Sequence, residues 1–206
     1  MKGKLAITVD VEDWYHIPSV TGSPFSVYRD VEEFFDKWEG RYDYLSEPTG
    51  RVLDLLDEFS VKATFFVVAD VVDHYPGLVD SIVDHGHEIG CHGLHHMCMI
   101  DQKNKNPLCD IEEFRKQTSE AKAILEEASG QRVIGYRAPN ALIGEWMLKE
   151  LPGLGFKYDS SLSVNSLYKK TDLNLDGVTT KPYEVVPGLL EFPMAYWEIL
   201  GLKIPD

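Results

Sequence analysis

Two histidines four positions apart, His92 and His96, have the spacing that lets a pair of imidazoles reach one metal ion from a helical turn. Gly90 and Gly93 beside them mark a strand-to-helix turn rather than the middle of a helix. A metal held by two histidines and one carboxylate keeps a position open for water, as catalytic sites do. Carboxylates for such a set occur early in the chain, in Asp10-Val11-Glu12-Asp13. On a strand, Asp10 and Glu12 face one side and Val11 the other. Crowded acids repel unless a cation or an arginine compensates them, and Arg137, in Tyr136-Arg137-Ala138-Pro139, is the natural candidate. Each group has a bland explanation: idle loop histidines, a solvated acidic turn, a surface arginine. Cys91 beside His92 makes a weak nucleophile pair, because adjacent strand residues face opposite ways. No glycine-rich phosphate loop is present, and Cys98 and Cys109 match no zinc spacing.

The elements that must position these groups are short strands alternating with helices. Leu5 to Val9, Ala63 to Val68, His87 to Cys91, Val133 to Tyr136 and Phe156 to Tyr158 read as strands. Helices are expected over Thr49 to Phe59, Pro76 to His85, Ile111 to Ala128 and Glu145 to Leu151. The third has Asp110 and Glu113 at capping-box spacing, an apolar face from Phe114 to Ala128, and Gly130 to end it. Such alternation implies a parallel sheet, as a barrel or a doubly wound layer. The acids, the imidazoles and the guanidinium all follow strands, at the edge where ligands bind in parallel α/β folds. Residues 14–48 and 159–190 are too long for plain connections. The first holds nine of the 23 aromatics and a small helix that Asp30 and Glu33 could cap, through Val31, Phe34, Phe35 and Trp38. It either plugs one end of the fold or serves the site.

The 206 residues are 44% hydrophobic and 26% charged, which describes one globular domain over 1–206 and excludes a disordered chain. Acids outnumber bases by 34 to 20, a net charge of −14, so no nucleic acid and no anionic membrane surface is expected as partner. The most apolar stretch, Ala63 to Val72, is broken at Asp70 and falls short of the roughly 18 residues of a membrane span. Met1-Lys2-Gly3-Lys4 leads straight into a strand without a signal-peptide core, and three cysteines are too few for a disulfide scaffold. A reduced, cytoplasmic protein is the expectation.

At this point the motifs resemble a family. Thr8-Val9-Asp10-Val11-Glu12-Asp13-Trp14, Ala63-Thr64-Phe65-Phe66, Gly86 to His96 and Gly135-Tyr136-Arg137-Ala138-Pro139 are similar to the motifs of the NodB-homology polysaccharide deacetylases, carbohydrate esterase family four. Tyr158-Asp159-Ser160-Ser161 and Glu191-Phe192-Pro193 add to the likeness. The branch it resembles includes peptidoglycan-deacetylase-like and metal-free allantoinase-like members. The resemblance implies a deformed, seven-stranded (β/α) barrel and hydrolysis of an N-acetyl group from an amino-sugar polymer or glycan precursor, with a divalent metal, zinc by preference. Carried over, Asp10 is the general base, His92 and His96 are metal ligands, and Arg137 compensates and orients Asp10. The metal carboxylate is Glu12 or Asp13: strand alternation favours Glu12, while a bend after Val11 would present Asp13.

The family's general acid is a late histidine, and no histidine follows His96 here. Relatives continue past Glu191-Phe192-Pro193, whereas this sequence stops at Ile204-Pro205-Asp206, so a barrel incomplete at its C-terminus is one expectation. The other is an acid from elsewhere, with His95 and His87 as candidates. A missing last strand would leave an open edge for a second copy, and hence a homo-oligomer. Two further readings stand beside the deacetylase: a metal-free cyclic-amide hydrolase, and a catalytically silent carbohydrate-binding barrel.

Overall fold

The computed structural model describes residues 5–17, 26–38, 43–164, 169–200 and 202–205. Nine strands are present among them: β1 Thr8–Val11, β2 Thr64–Val67, β3 Glu88–Cys91, β4 Gly135–Tyr136, β5 Tyr158–Asp159, β6 Tyr183–Val186, β7 Leu189–Glu191, β8 Tyr196–Ile199 and β9 Leu202–Pro205. The helices are α1 Val31–Trp38, α2 Ser46–Glu58, α3 Val71–His74, α4 Leu78–Asp84, α5 Ile111–Ser129 and α6 Glu145–Glu150, with short 3-10 turns at Trp14–His16 and Pro139–Ala141.

Seven strands form one sheet in the order β1-β2-β3-β4-β5-β7-β6, parallel except for the antiparallel β6–β7 pair. β1 and β6 are its two edges, so the barrel is deformed and open. Register levels the strand ends. Val11 pairs with Val67, Val67 with Cys91, Cys91 with Tyr136, Tyr136 with Asp159, and Asp159 with Glu191. Whatever follows those six residues emerges at one rim.

The core lies between the sheet and helices α2, α4, α5 and α6, around Leu53, Phe65, Ile82, Ile89, Phe114, Leu125, Met147 and Phe156. Helix α5 begins as its sequence demands: the Asp110 carboxylate accepts from the Glu113 amide at 2.8 Å, and Gly130 ends the helix at φ 62°. Phe65 packs outward into this core, while Phe66 lies inside the barrel, and both are fully buried. The interior has room for Phe66 because Gly90 faces it: a Cβ there would sit 2.5 Å from the ring. Gly135 does the same for Tyr158.

Several boundaries differ from the sequence reading. The first strand starts at Thr8 and carries Asp10 within it, while Leu5 is exposed. The helix expected over Pro76 to His85 begins at Leu78, after Gly77 at φ 85°, and α3 is a separate turn before Pro76. Residues 159–190 are no mere loop: they contain β6 and most of β7, turned by Pro187-Gly188 with Gly188 at φ 84°. The β8–β9 hairpin was likewise unforeseen. The small helix read over Val31 to Trp38 is α1, with the Asp30 carboxylate accepting from the Glu33 amide at 2.8 Å. The Trp38 side chain and the Met1-Lys2-Gly3-Lys4 segment lie outside the described residues. No helix among those residues is long and apolar enough to cross a membrane.

Candidate metal centre

β3 delivers His92 directly. Its amide donates to the Val67 carbonyl at 2.9 Å, extending the β2–β3 ladder by one residue. Gly93, at φ 86°, then turns the chain, and His96 itself adopts φ 55°. For a side chain other than glycine that conformation costs about 1–2 kcal/mol, so it persists only where neighbours impose it. Both imidazoles are buried, 2% and 6% exposed, an unusual place for histidines with nothing to bind.

The far nitrogens are fixed by backbone carbonyls. His92 Nδ1 donates to the Arg137 carbonyl at 2.9 Å, and His96 Nδ1 points at the His16 carbonyl at 3.4 Å. Each ring therefore turns a bare Nε2 lone pair inward, the arrangement by which outer partners orient metal-binding histidines. Glu12, just past β1, completes the set: its Oε2 is 2.5 Å from His96 Nε2. Yet His96 Nε2 is buried without a hydrogen bond of acceptable geometry. Two lone pairs that close repel unless a cation lies between them. Among the described residues, Glu12, His92 and His96 are the one group of three whose ligand atoms lie within 4.8 Å of one another. Two imidazoles and a carboxylate match a divalent ion such as zinc, so the residues fit the implied metal.

The neighbourhood favours the form a metal needs. Burial pushes His92 down to about 4, outweighing the pull of Asp10, so it is neutral and able to ligate near pH 7.

Asp10 lies beside this group, with Oδ2 3.9 Å from His92 Nε2. Its other oxygen, Oδ1, accepts from Arg137 Nη1 at 2.7 Å. Arg137 is itself locked. Nη1 also donates to Thr8 Oγ1 at 3.1 Å, Nε to the Ser160 carbonyl at 2.8 Å and Nη2 to Ser160 Oγ at 2.8 Å. Its guanidinium lies 4.2 Å from the centre of the Phe66 ring.

Asp13 is the other carboxylate the sequence left open. It is 3% exposed and turned into the protein, where it caps the Trp14–His16 turn. Its side chain accepts from the Trp14 amide at 2.6 Å and from the Tyr75 hydroxyl. Cys91 is fully buried on the core side, and burial pushes its thiol up to about 12, which removes it as a nucleophile. His87 precedes β3 at the opposite end of the strand, where its Nδ1 accepts from the Ala63 amide at 3.2 Å.

Thr8, Phe66 and Ser160 stood within the motifs read from the sequence but were given no role there, and Asp70 was read only as a break in an apolar run. Asp70 and Ser160 each follow a predicted strand, the same signal that found His92 and Arg137. Burial opposes ionisation of Asp70, but hydrogen bonds from His16 and His95 hold its carboxyl well below the usual range.

The sequence profile of the polysaccharide deacetylases matches residues 34–158, more than half of the chain. The chain belongs to the polysaccharide deacetylase family. The matched stretch holds His92, His96 and Arg137, while β1 with Asp10, and Glu12 just past it, precede it. A peptidoglycan deacetylase-like protein of Gibberella zeae is 31% identical over 118 residues, 55% of this chain and 32% of that protein. Among solved structures, a Mycobacterium smegmatis protein assigned to the polysaccharide deacetylases superposes with a TM-score of 0.65 at 29% identity, covering 92% of this chain and 58% of that one. Puue allantoinase shares the fold, with a TM-score of 0.58 at 20% identity over 92% of this chain and 61% of its own. The chain spans about a third of the length of the curated deacetylases it matches, 32–39% for the first three. The NodB-type family read from the motifs and the open, deformed barrel are thus those of known deacetylases.

Proposed function

We propose that this polysaccharide deacetylase relative is a metal-dependent hydrolase that removes N-acetyl groups from an amino-sugar polymer or glycan precursor. The observation that supports it most is the meeting of Glu12, His92 and His96 beside an Asp10 already engaged by Arg137. Amide hydrolysis needs a stronger nucleophile than water and a better electrophile than an acetamide carbonyl. A divalent ion on Glu12, His92 and His96, zinc by preference, supplies Lewis acidity toward both.

The chain's own residues do the rest. Arg137 occupies one oxygen of Asp10 and leaves Oδ2 directed at the site, in place to take the proton of the attacking water. The departing amine needs a proton in turn. Asp10, having gained one, is the group positioned to return it. The net charge of −14 suits a substrate whose product is an amine, because the cleft does not repel the cation formed.

Metal content is the first test, on protein purified without chelator and on His92→Ala. About one equivalent of a zinc-like ion, lost in the variant, together with acetate release from N-acetylglucosamine oligomers or peptidoglycan fragments, is the expected result. No uptake even in excess zinc overturns the metal reading. Acetamide hydrolysis would then have to proceed without metal, and tight sugar binding without turnover would mark a silent barrel.

A further inference from the structure

We propose that Asp70 is a positioning residue for this metal centre: it grips His16 and His95, on either side of His96, and so fixes the aim of the His96 imidazole. The inference rests on the metal reading above and concerns a residue that touches neither metal nor substrate.

Asp70 directly precedes α3, past the end of β2, and its two oxygens receive three donors. Oδ1 accepts from His16 Nε2 at 2.8 Å and from the Tyr15 hydroxyl at 3.0 Å, and Oδ2 accepts from His95 Nδ1 at 2.9 Å. The His16 tautomer is set from its other side, where Nδ1 accepts from the Asp13 amide at 2.9 Å, so Nε2 carries the proton given to Asp70. Both gripped histidines lead to His96. His95 is its chain neighbour, and the His16 carbonyl faces its Nδ1. The Asp70 amide adds a third tie, donating to the Leu94 carbonyl at 3.1 Å.

His96 needs such anchorage. Its φ of 55° is not a conformation a histidine holds unaided, and its buried Nε2 must be aimed without a hydrogen bond of its own. The 3-10 turn that carries His16 and the loop that carries His95 come from opposite sides of the site, and the Asp70 carboxylate joins them. Three donors call for an acceptor with no hydrogen to place, which a carboxylate is and a carboxamide is not.

Cobalt(II) alone is the probe, titrated into the full chain and followed by the d–d absorption of the bound ion. The variants are Asp70→Asn, Asp70→Ala and His95→Ala. Leu53→Ala, which opens a cavity under α2, serves as a control for destabilisation without contact to the site. Asp70→Asn is expected to bind cobalt about tenfold or more weakly, with a changed d–d band, as loss of an outer-shell partner does. His95→Ala, which leaves the His16 grip, is expected to fall between it and wild type. Leu53→Ala is expected to match wild type. Should Asp70→Ala fail to fold, the isosteric Asp70→Asn and the half-exposed His95→Ala carry the test. Equal affinity and spectrum in wild type, Asp70→Asn and His95→Ala overturn the role of Asp70 and leave the metal reading standing. An equal loss in Leu53→Ala also overturns it, since stability would then explain the effect. A wild type that takes up no cobalt overturns both.

Discussion

Arg137 Nη1 donates to Asp10 Oδ1 at 2.7 Å, across 127 positions of sequence and three intervening strand pairings of the sheet. The bond joins the end of β4 to the inside of β1 through the barrel interior. Three of the guanidinium nitrogens are used, on Asp10, Thr8 and both oxygens of Ser160. Lysine cannot reproduce that fork, nor set a planar guanidinium over Phe66 as Arg137 does at 4.2 Å from the ring centre. Arg137→Lys is therefore expected to lower kcat by about 10²-fold or more with little change in KM, since the base proposed at Asp10 is misaimed while the proposed metal ligands stay put. Steady-state kinetics on an N-acetylated oligosaccharide decides it; a purely KM effect would assign Arg137 to substrate binding.

The support beneath Arg137 gives a second prediction. Gly90 leaves the space that the Phe66 ring fills, and Phe66 carries the guanidinium. Gly90→Ala pushes a methyl to 2.5 Å from a fully buried ring that already has the guanidinium against it. Overpacking of this kind costs about 1–3 kcal/mol. Urea denaturation should show that loss, and Gly90→Ala/Phe66→Leu, which returns the volume, should recover part of it. An unchanged midpoint in the single variant would mean that the interior yields easily.

How much of this was open to sequence reasoning follows from what each residue depends on. The rim groups were legible because strand, turn and reactive residue are contiguous: His92 after the strand read over His87 to Cys91, Arg137 after the one read over Val133 to Tyr136. The choice between Glu12 and Asp13 was legible only in part. Strand alternation favoured Glu12, but what holds Asp13 inward, the Tyr75 hydroxyl and the Trp14–His16 turn, is distant in sequence or depends on a local conformation. Asp70 looked like a break in an apolar run, because its donors sit 25 to 55 positions away. β6 and β7 were hidden for another reason: Pro187-Gly188 is a fair turn signal, but two short strands with one exposed edge carry little apolar pattern.

Asp159 and Glu191 predict a pH dependence. They are paired across β5 and β7, both fully buried, with Ser161 and the Leu162 amide as their polar neighbours. Burial raises both carboxyls, Glu191 well above the ordinary 4.5, and the Asp159 charge beside it adds to the effect. The folded protein thus keeps a proton that the unfolded chain gives up above about pH 4.5. The stabilisation from the pair is complete below that value and is lost as pH rises through the folded pKa, at up to about 1.4 kcal/mol per pH unit. Glu191→Gln keeps the shape and cannot ionise, so its urea midpoint relative to wild type should rise steadily with pH. A difference that stays constant from pH 4.5 to 9 would show that the pair shares no such proton.

The two acids at the end of β1 separate ligand from scaffold most directly. Glu12 offers an oxygen to His96, whereas Asp13 caps the neighbouring turn and meets the Tyr75 hydroxyl. Glu12→Gln removes the charge of the proposed ligand, and zinc affinity is expected to fall at least about a hundredfold. Asp13→Asn retains a good capping side chain, so stability should drop by about 1 kcal/mol or less and zinc affinity by less than about tenfold. Thermal denaturation with and without zinc reads both at once, because an ion that binds the folded state alone raises the midpoint by mass action, about 2.7 kcal/mol at 100 times Kd. Zinc should lift the midpoint of wild type and Asp13→Asn and leave Glu12→Gln nearly unmoved. The reverse pattern would place Asp13 on the metal, and would require the chain after Val11 to bend the other way when the ion binds.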